Sequence, residues 1–389
     1  MSTMDKKVIG YVSKTNPFQD RVAWSGTIYK LREAIELAGY EVIWIPYGDS
    51  LLTKFYTYLL KIFNHTLFIK KHWLVETHFT PLVKVWARNI NRNPILSKCD
   101  YLFFPRGAQI ALYLGVNKPI IYFTAATAHV MFDYYWYNIN RFSKKMALDL
   151  EERASQNASI NIKSSRWAFD SVINDCHCYK DKCHVLEFGP NIDAKDIIQN
   201  TLYKGGELRL FFSGIDWERK GGDIAVKTVE TLRDKGIDAQ LSVAGPHQMP
   251  TSCKGKDYIH FHGFLNKNNP KDYKRICELY SQNHIFLLPT KAECSAIVFC
   301  EASAAGLPIY TYLTGGTGDY VIEGVNGHAL PLGSPAESFA NQIYNDIQTN
   351  RLHSLREGAL KLSMEKLSWE AWAKGFREIM ERVSIIPNL

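Results

Sequence analysis

Residues 285–311 constrain the fold more than any other stretch of this chain. Ile285-Phe286-Leu287-Leu288-Pro289 is a short apolar run closed by proline, the pattern of a buried parallel strand. Gly306-Leu307-Pro308 is a helix stop, and Ile309-Tyr310-Thr311 opens another strand. The unit reads strand, polar loop, short helix, strand, which is the building block of an open α/β sheet. Such sheets take their ligands at the carboxyl ends of the strands. Glu293 falls in that loop, and Glu301 falls about two turns into the helix.

On a regular helix two glutamates so spaced stand roughly 12 Å apart and are rotated by roughly 80°. Ser295 and Ala296 lie between them, at a helix N-terminus whose free N–H groups seat phosphate. Carboxylates at both ends and an anion seat in the middle suit a sugar–diphosphate–ribose ligand. In isolation such a pair also fits a loop charge and a solvated helix position. The preceding buried strand, and Ala302, Ala304 and Ala305 on the helix, favour the ligand reading.

The stretch 285–331 resembles the donor-binding signature of retaining glycosyltransferases of family 4. The resemblance is carried by the proline-terminated strand, Glu293 and Glu301, Gly306-Leu307-Pro308, Gly315-Gly316 and Glu323-Gly324-Val325-Asn326-Gly327, in order and at family spacing. It implies the GT-B fold: an α/β protein of two Rossmann-like domains with an interdomain cleft as active site. It also implies that Glu293 contacts the donor sugar and that Glu301 binds the ribose hydroxyls.

A chain of 389 residues, 46% hydrophobic and 22% charged, suits two globular domains and excludes a disordered protein. Met1 to Lys7 is polar and Val8 to Val12 is too short for a leader's apolar core, so no signal peptide is expected. No uncharged stretch is long enough to span a membrane. Eight cysteines then read as free thiols in a reducing, cytoplasmic compartment. The run Cys176-His177-Cys178 with Cys183-His184 lacks a familiar zinc spacing, so no metal site is assigned.

The net charge of +7 is uneven. Residues 51–98 hold eight basic residues against Glu76 alone; eight minus one is +7, the charge of the whole chain. Within 51–93 the lysines alternate with Phe55, Tyr56, Tyr58, Phe63, Phe68, Trp73, Phe79 and Trp86. Such a stretch fits an anionic membrane surface or a lipid-linked acceptor, giving a peripheral membrane protein, and it equally fits a packed helical pair with a basic edge. Nucleic acid is not expected, since no recognition motif accompanies the charge.

In the N-terminal half, Val8–Val12, a helix Thr27–Ala38 and Glu41–Pro46 form a Rossmann-like opening without G-x-G-x-x-G. The resemblance places donor phosphates or acceptor against Gly26, the second residue of Ser25-Gly26. It also offers His129, after the strand Pro119–Phe123, as a residue reaching the donor sugar; a packed histidine is the other reading. In the C-terminal half, Leu208–Ser213 leads into Gly214-Ile215-Asp216-Trp217-Glu218-Arg219-Lys220-Gly221-Gly222, a basic glycine-rich loop before a helix. The resemblance implies that Gly214 borders the donor, that Arg219 and Lys220 neutralise its diphosphate, that Phe264 and Leu265 neighbour the base, and that Gly315 and Gly316 approach the ligand. Ala125 and Ile215 stand where relatives carry polar residues.

The expected domains are 1–200 on the acceptor side, with a last helix at about 366–389 packing back on it, and 201–365 for the nucleotide sugar. Residues 190–206 read as the linker. The expected activity is retaining transfer of a sugar from a nucleoside-diphosphate sugar to a glycan, lipid-linked or other hydroxyl acceptor, with no cofactor or metal required. Two alternatives stay open: a catalytically inactive glycosyltransferase-like binding subunit, and a phosphorylase on the same fold.

Overall fold

The computed structural model describes residues 6–48, 50–62 and 76–385. Phe63, Phe68, Lys70, Lys71 and Trp73 of the basic–aromatic segment lie outside the described residues. The chain forms two compact units: one runs to Leu186 and resumes at Ala373, and the other is Glu187–Trp372.

In the first unit β1 (Val8–Ser13), β2 (Glu41–Pro46), β3 (Tyr101–Pro105), β4 (Ile120–Thr124), β5 (Ile160–Lys163) and β6 (Cys183–Val185) pair in the order β2-β1-β3-β4-β5-β6. Every pairing is parallel. Burial on both faces explains the unbroken apolar runs, such as Leu102-Phe103-Phe104 in β3. The helix Arg141–Asn157 starts after Asn140, which caps it by accepting from the Ser143 N–H at 2.8 Å. Residues of the helix Trp369–Ile385 from Ala373 onward belong to this unit. There Arg377 donates to the Ala38 and Leu37 carbonyls at 3.1 and 3.2 Å, and Phe376 sets its edge against Tyr40.

In the second unit β7 (Leu208–Ser213), β8 (Ala239–Ala244), β9 (Ile259–Gly263), β10 (Ile285–Leu288), β11 (Ile309–Leu313) and β12 (Gly327–Pro331) run in the order β12-β11-β10-β7-β8-β9, again all parallel. The order reverses between β7 and β10, which makes the carboxyl ends of these two strands the topological switch point of the sheet. Residues 190–206 are not a free linker. They pack into this unit, with Ile192 and Asn200 buried, Asp193 N–H donating to the Tyr273 hydroxyl at 2.8 Å, and Arg356 donating to Asn200 at 2.9 Å. Here Asn and Asp side chains and backbone are matched to fixed partners, which leaves no apolar periodicity to read.

Candidate functional site

The loop after β7 and the loop after β10 meet at this switch point. The first closes at Gly221, whose φ of 74° caps the helix Gly222–Asp234. A side chain at Gly221 would collide with the Pro289 carbonyl oxygen, so the helix N-terminus is drawn onto the end of β10. Gly245, after β8, has a φ of 119°, and a Cβ there would lie 2.5 Å from the Gly214 carbonyl. Gly214 in turn lies under the Lys220 stem, 2.8 Å from its Cγ by the same construction. Glycine at these positions brings three backbone segments into contact beneath the lysine.

Lys220 Nζ pairs with Glu293, and both side chains are largely buried. Arg219 donates to the Ala292 carbonyl at 2.9 Å and pairs with Asp216 at 3.3 Å, while the Lys291 N–H donates to the Arg219 carbonyl at 2.8 Å. The Gly316 N–H donates to the Glu293 carbonyl at 3.0 Å, which ties the Gly315-Gly316 turn to the same loop; Gly315 has a φ of 52°. The structure therefore gathers Gly214, Arg219, Lys220, Glu293, Gly315 and Gly316 at one place. Ser295 and Ala296 precede the helix Ile297–Ala305, with Ala296 at its N-cap and no side chain bonded there; the Ser295 hydroxyl donates to the Cys294 carbonyl at 2.6 Å. Two cations and two helix N-termini thus stand beside a carboxylate, an arrangement chemically able to hold an anion.

Glu301 is 2% exposed on that helix. Its Oε1 accepts from Lys267 and from the Asn191 N–H at 3.2 Å, and its Oε2 accepts from the Tyr280 hydroxyl at 2.8 Å. Burial and the adjacent carboxylate push the Tyr280 hydroxyl well above its ordinary pKa, which keeps it a donor. A carboxylate has about four acceptor positions, so three are filled here. Lys267, Asn191 and Tyr280 were not legible as partners of Glu301, because they come from a loop, a loop and a helix without a shared spacing. Phe264 stacks on His247, with centroids 4.6 Å apart, at the ends of β9 and β8, and Leu265 follows it. Close by in sequence, burial and Arg275 depress the His262 pKa to about 4, so that imidazole is neutral.

Two expected residues lie in the first unit. Trp24, Ser25 and Gly26 have φ of 52°, 57° and 94° in succession, and Gly26 caps the helix Thr27–Leu37. Left-handed conformations at two non-glycine residues store strain of about 1–3 kcal/mol each. The Trp24 ring is held by Arg106, 5.0 Å from its centroid, and by Phe123 at 6.2 Å, at the carboxyl ends of β3 and β4. His129 is half-buried, with Nδ1 3.6 Å from the Cys176 sulfur. Cys176, Cys178 and Cys183 pack with Phe169 and Val172 in an apolar cluster.

The two parallel sheets with their flanking helices have the architecture of GT-B glycosyltransferases. Residues 207–348 match the family model described as Glycosyl transferases group 1. An uncharacterised glycosyltransferase of Methanocaldococcus jannaschii is 26% identical over 196 residues, 48% of this chain and 52% of that protein. The chain spans about half the length, or less, of the curated relatives it matches. Sucrose-phosphate synthase of Thermosynechococcus elongatus superposes with a TM-score of 0.71 at 14% identity, over 97% of this chain and 99% of that one. The HepE protein of Anabaena, in complex with UDP and glucose, gives a TM-score of 0.64 at 14% identity, over 98% and 100%.

Proposed function

We propose that this chain is a glycosyltransferase that takes its sugar from a nucleoside-diphosphate sugar and transfers it with retention to a hydroxyl acceptor on a glycan or lipid-linked carrier. The observation that carries the reading is the convergence of Arg219, Lys220 and two helix N-termini beside Glu293 at the switch point of the second unit. In this reading the diphosphate lies on the cations, which stabilise it as it departs. Glu293 meets the sugar, Glu301 the ribose, and the Phe264–His247 stack flanks the base. The bond from the anomeric carbon to phosphate breaks while the acceptor oxygen attaches on the same face, and the departing phosphate takes the acceptor proton. Positioning and charge stabilisation supply the catalysis, and the scheme calls for no metal. The UDP and glucose of the HepE complex and the match of 207–348 support the donor class.

Ile215 is 58% exposed in the anion-binding loop, and with Ala125 it favours a second reading as an inactive binding subunit. Thermal shift and calorimetry with UDP-, GDP- and ADP-sugars test the first reading, followed by turnover with the donor that binds. Binding without transfer or hydrolysis across the panel selects the inactive subunit. Absence of binding by every nucleotide overturns both assignments of the loop.

A further inference from the structure

The helix Leu51–Ile62 carries an exposed apolar face. At about 100° per residue, Thr53 and Leu60 fall within about 20° of each other, and they are the buried pair, 3% and 5% exposed. Diametrically opposite, Leu51, Leu52, Phe55, Tyr58, Leu59 and Ile62 fill an arc of about 120°. Leu51 is 85% exposed, Tyr58 63% and Phe55 53%. A surface helix of a globular domain ordinarily turns polar residues to that side. Here the exposed side is apolar instead, so this outer stripe is built to be covered.

Charge identifies the cover. Lys54 and Lys61 are both exposed and lie together on one flank of the stripe. On the helix Thr80–Asn91, which packs beside it, Lys84 and Arg88 are exposed as well. Among the described residues none of these four forms an ion pair, and the helix Leu51–Ile62 contains no acid. Among the described residues no helix is long and apolar enough to cross a bilayer, and the described part of this one, about 18 Å, is long enough to lie in its interface. We infer that this stripe docks the protein in-plane on an anionic lipid bilayer, with the apolar residues in the acyl boundary and the lysines at the headgroups. A second copy of the chain is the poorer occupant, because an antiparallel two-fold contact on this face would oppose two identical basic flanks and a parallel one would leave them without a counter-charge. The inference goes beyond the donor chemistry and stands without it.

The test is co-sedimentation of the full chain with vesicles of phosphatidylcholine, alone or mixed equally with phosphatidylglycerol, at about 0.05 and 0.5 M salt. Wild type should partition onto the anionic vesicles and much less onto the neutral ones. Leu51→Gln, Phe55→Gln and Tyr58→Gln together should lower partitioning at least about ten-fold, since glutamine keeps the helix while removing the apolar stripe. Lys54→Gln with Lys61→Gln should lower it about 25-fold at low salt, about five-fold per lysine, and little at high salt. Far-ultraviolet circular dichroism should show both variants folded, since every altered side chain is exposed. The inference is overturned if wild type ignores anionic vesicles, or if the glutamine triple variant binds them as well as wild type does. It is equally overturned if wild type is a dimer in sedimentation velocity that this variant splits, with vesicles bound by neither.

Discussion

Replacing Lys220 by methionine separates what the lysine does for the fold from what it does for a ligand. Methionine keeps an apolar stem over Gly214 and removes only the charge. Glu293, 7% exposed, then loses its counter-ion. Breaking a buried pair costs about 3–5 kcal/mol, and with side chains 13% and 10% exposed the low end, about 3 kcal/mol, applies. For a domain of this size that lowers the melting temperature by about 6–12 °C. If Lys220 also grips the diphosphate, the variant loses a charge-assisted contact of about 1.5–3 kcal/mol, weakening UDP about 10–150-fold. Adding Glu293→Gln should then restore the melting temperature to within about 1 kcal/mol of wild type, because no charge is left buried alone. UDP should stay weakly bound. Differential scanning calorimetry and titration calorimetry on wild type and the two variants, with UDP or whichever nucleoside diphosphate shifts wild type most, read the two quantities separately. Recovery of both stability and affinity in the double variant would refute the ligand role and leave Lys220 as a partner of Glu293 alone.

The two glutamates should separate by role: Glu301→Gln weakens free nucleoside diphosphate as well as donor, whereas Glu293→Gln spares the nucleotide and lowers turnover. Equal loss of nucleotide binding, by titration calorimetry, sinks that division. Gly245→Ala should cost at least about 3 kcal/mol in urea unfolding, from a left-handed φ plus a collision with the Gly214 backbone, against about 1 kcal/mol for Gly236→Ala, whose Cβ would meet open space; equal costs would show that the close approach relaxes. His328 is buried, which opposes its charge, yet hydrogen bonds to Asp346 (Nε2 to Oδ2, 3.1 Å) and Glu323 outweigh that and raise its pKa. Its stabilisation is therefore complete below the unfolded value near 6.5 and is lost as pH rises through the higher folded value, so urea unfolding should weaken from about pH 6.5 upward, and His328→Gln should flatten that slope. Glu151→Ala should cost about 3 kcal/mol and the pair Lys163→Met with Glu151→Gln about 1 kcal/mol or less; a large cost for the pair in the same assay would show that the charges themselves stabilise the first unit.

Strands that are apolar on both faces were legible, and they carried the fold. Glu41–Pro46 and Leu208–Ser213 begin and end where the sequence puts them, because each apolar run is bounded by a helix stop or a glycine loop. The basic loop and the Glu293 loop were legible for the same reason, since each follows such a strand. Their mutual contact was not, because Lys220 and Glu293 are far apart in sequence and only the reversal of strand order between β7 and β10 brings them together. The partners of Glu301 were invisible on the same ground. The strand β12 went unread because Gly327 and Pro331 bound a run with only a single strongly apolar side chain, Leu330.

β5 went unread for a different reason, one that says more about the first unit. Its sequence Ile-Asn-Ile-Lys alternates as a half-exposed strand would, yet all four residues are buried. The polar face meets a polar interior. Glu151, 2% exposed, accepts from the Tyr122 hydroxyl at 2.9 Å and from Gln109 at 2.8 Å. Burial raises its pKa, but the His78 hydrogen bond, the Lys163 charge and the tyrosine hold it below the ordinary value. Lys163 lies over the Tyr122 ring, 4.1 Å from its centroid, and burial lowers its pKa. Opposite charges buried in this way contribute little net stability, because desolvation offsets their attraction. They do penalise error. A slip of β5 by one residue would turn Asn161 and Lys163 to the opposite face and take the Lys163 charge away from Glu151. An apolar strand of four residues between β4 and β6 has no such penalty. The charges that hide β5 from a pattern reading are thus the ones that fix its register, and with it the position of Ser165, whose hydroxyl caps the next helix at the carboxyl end of the sheet.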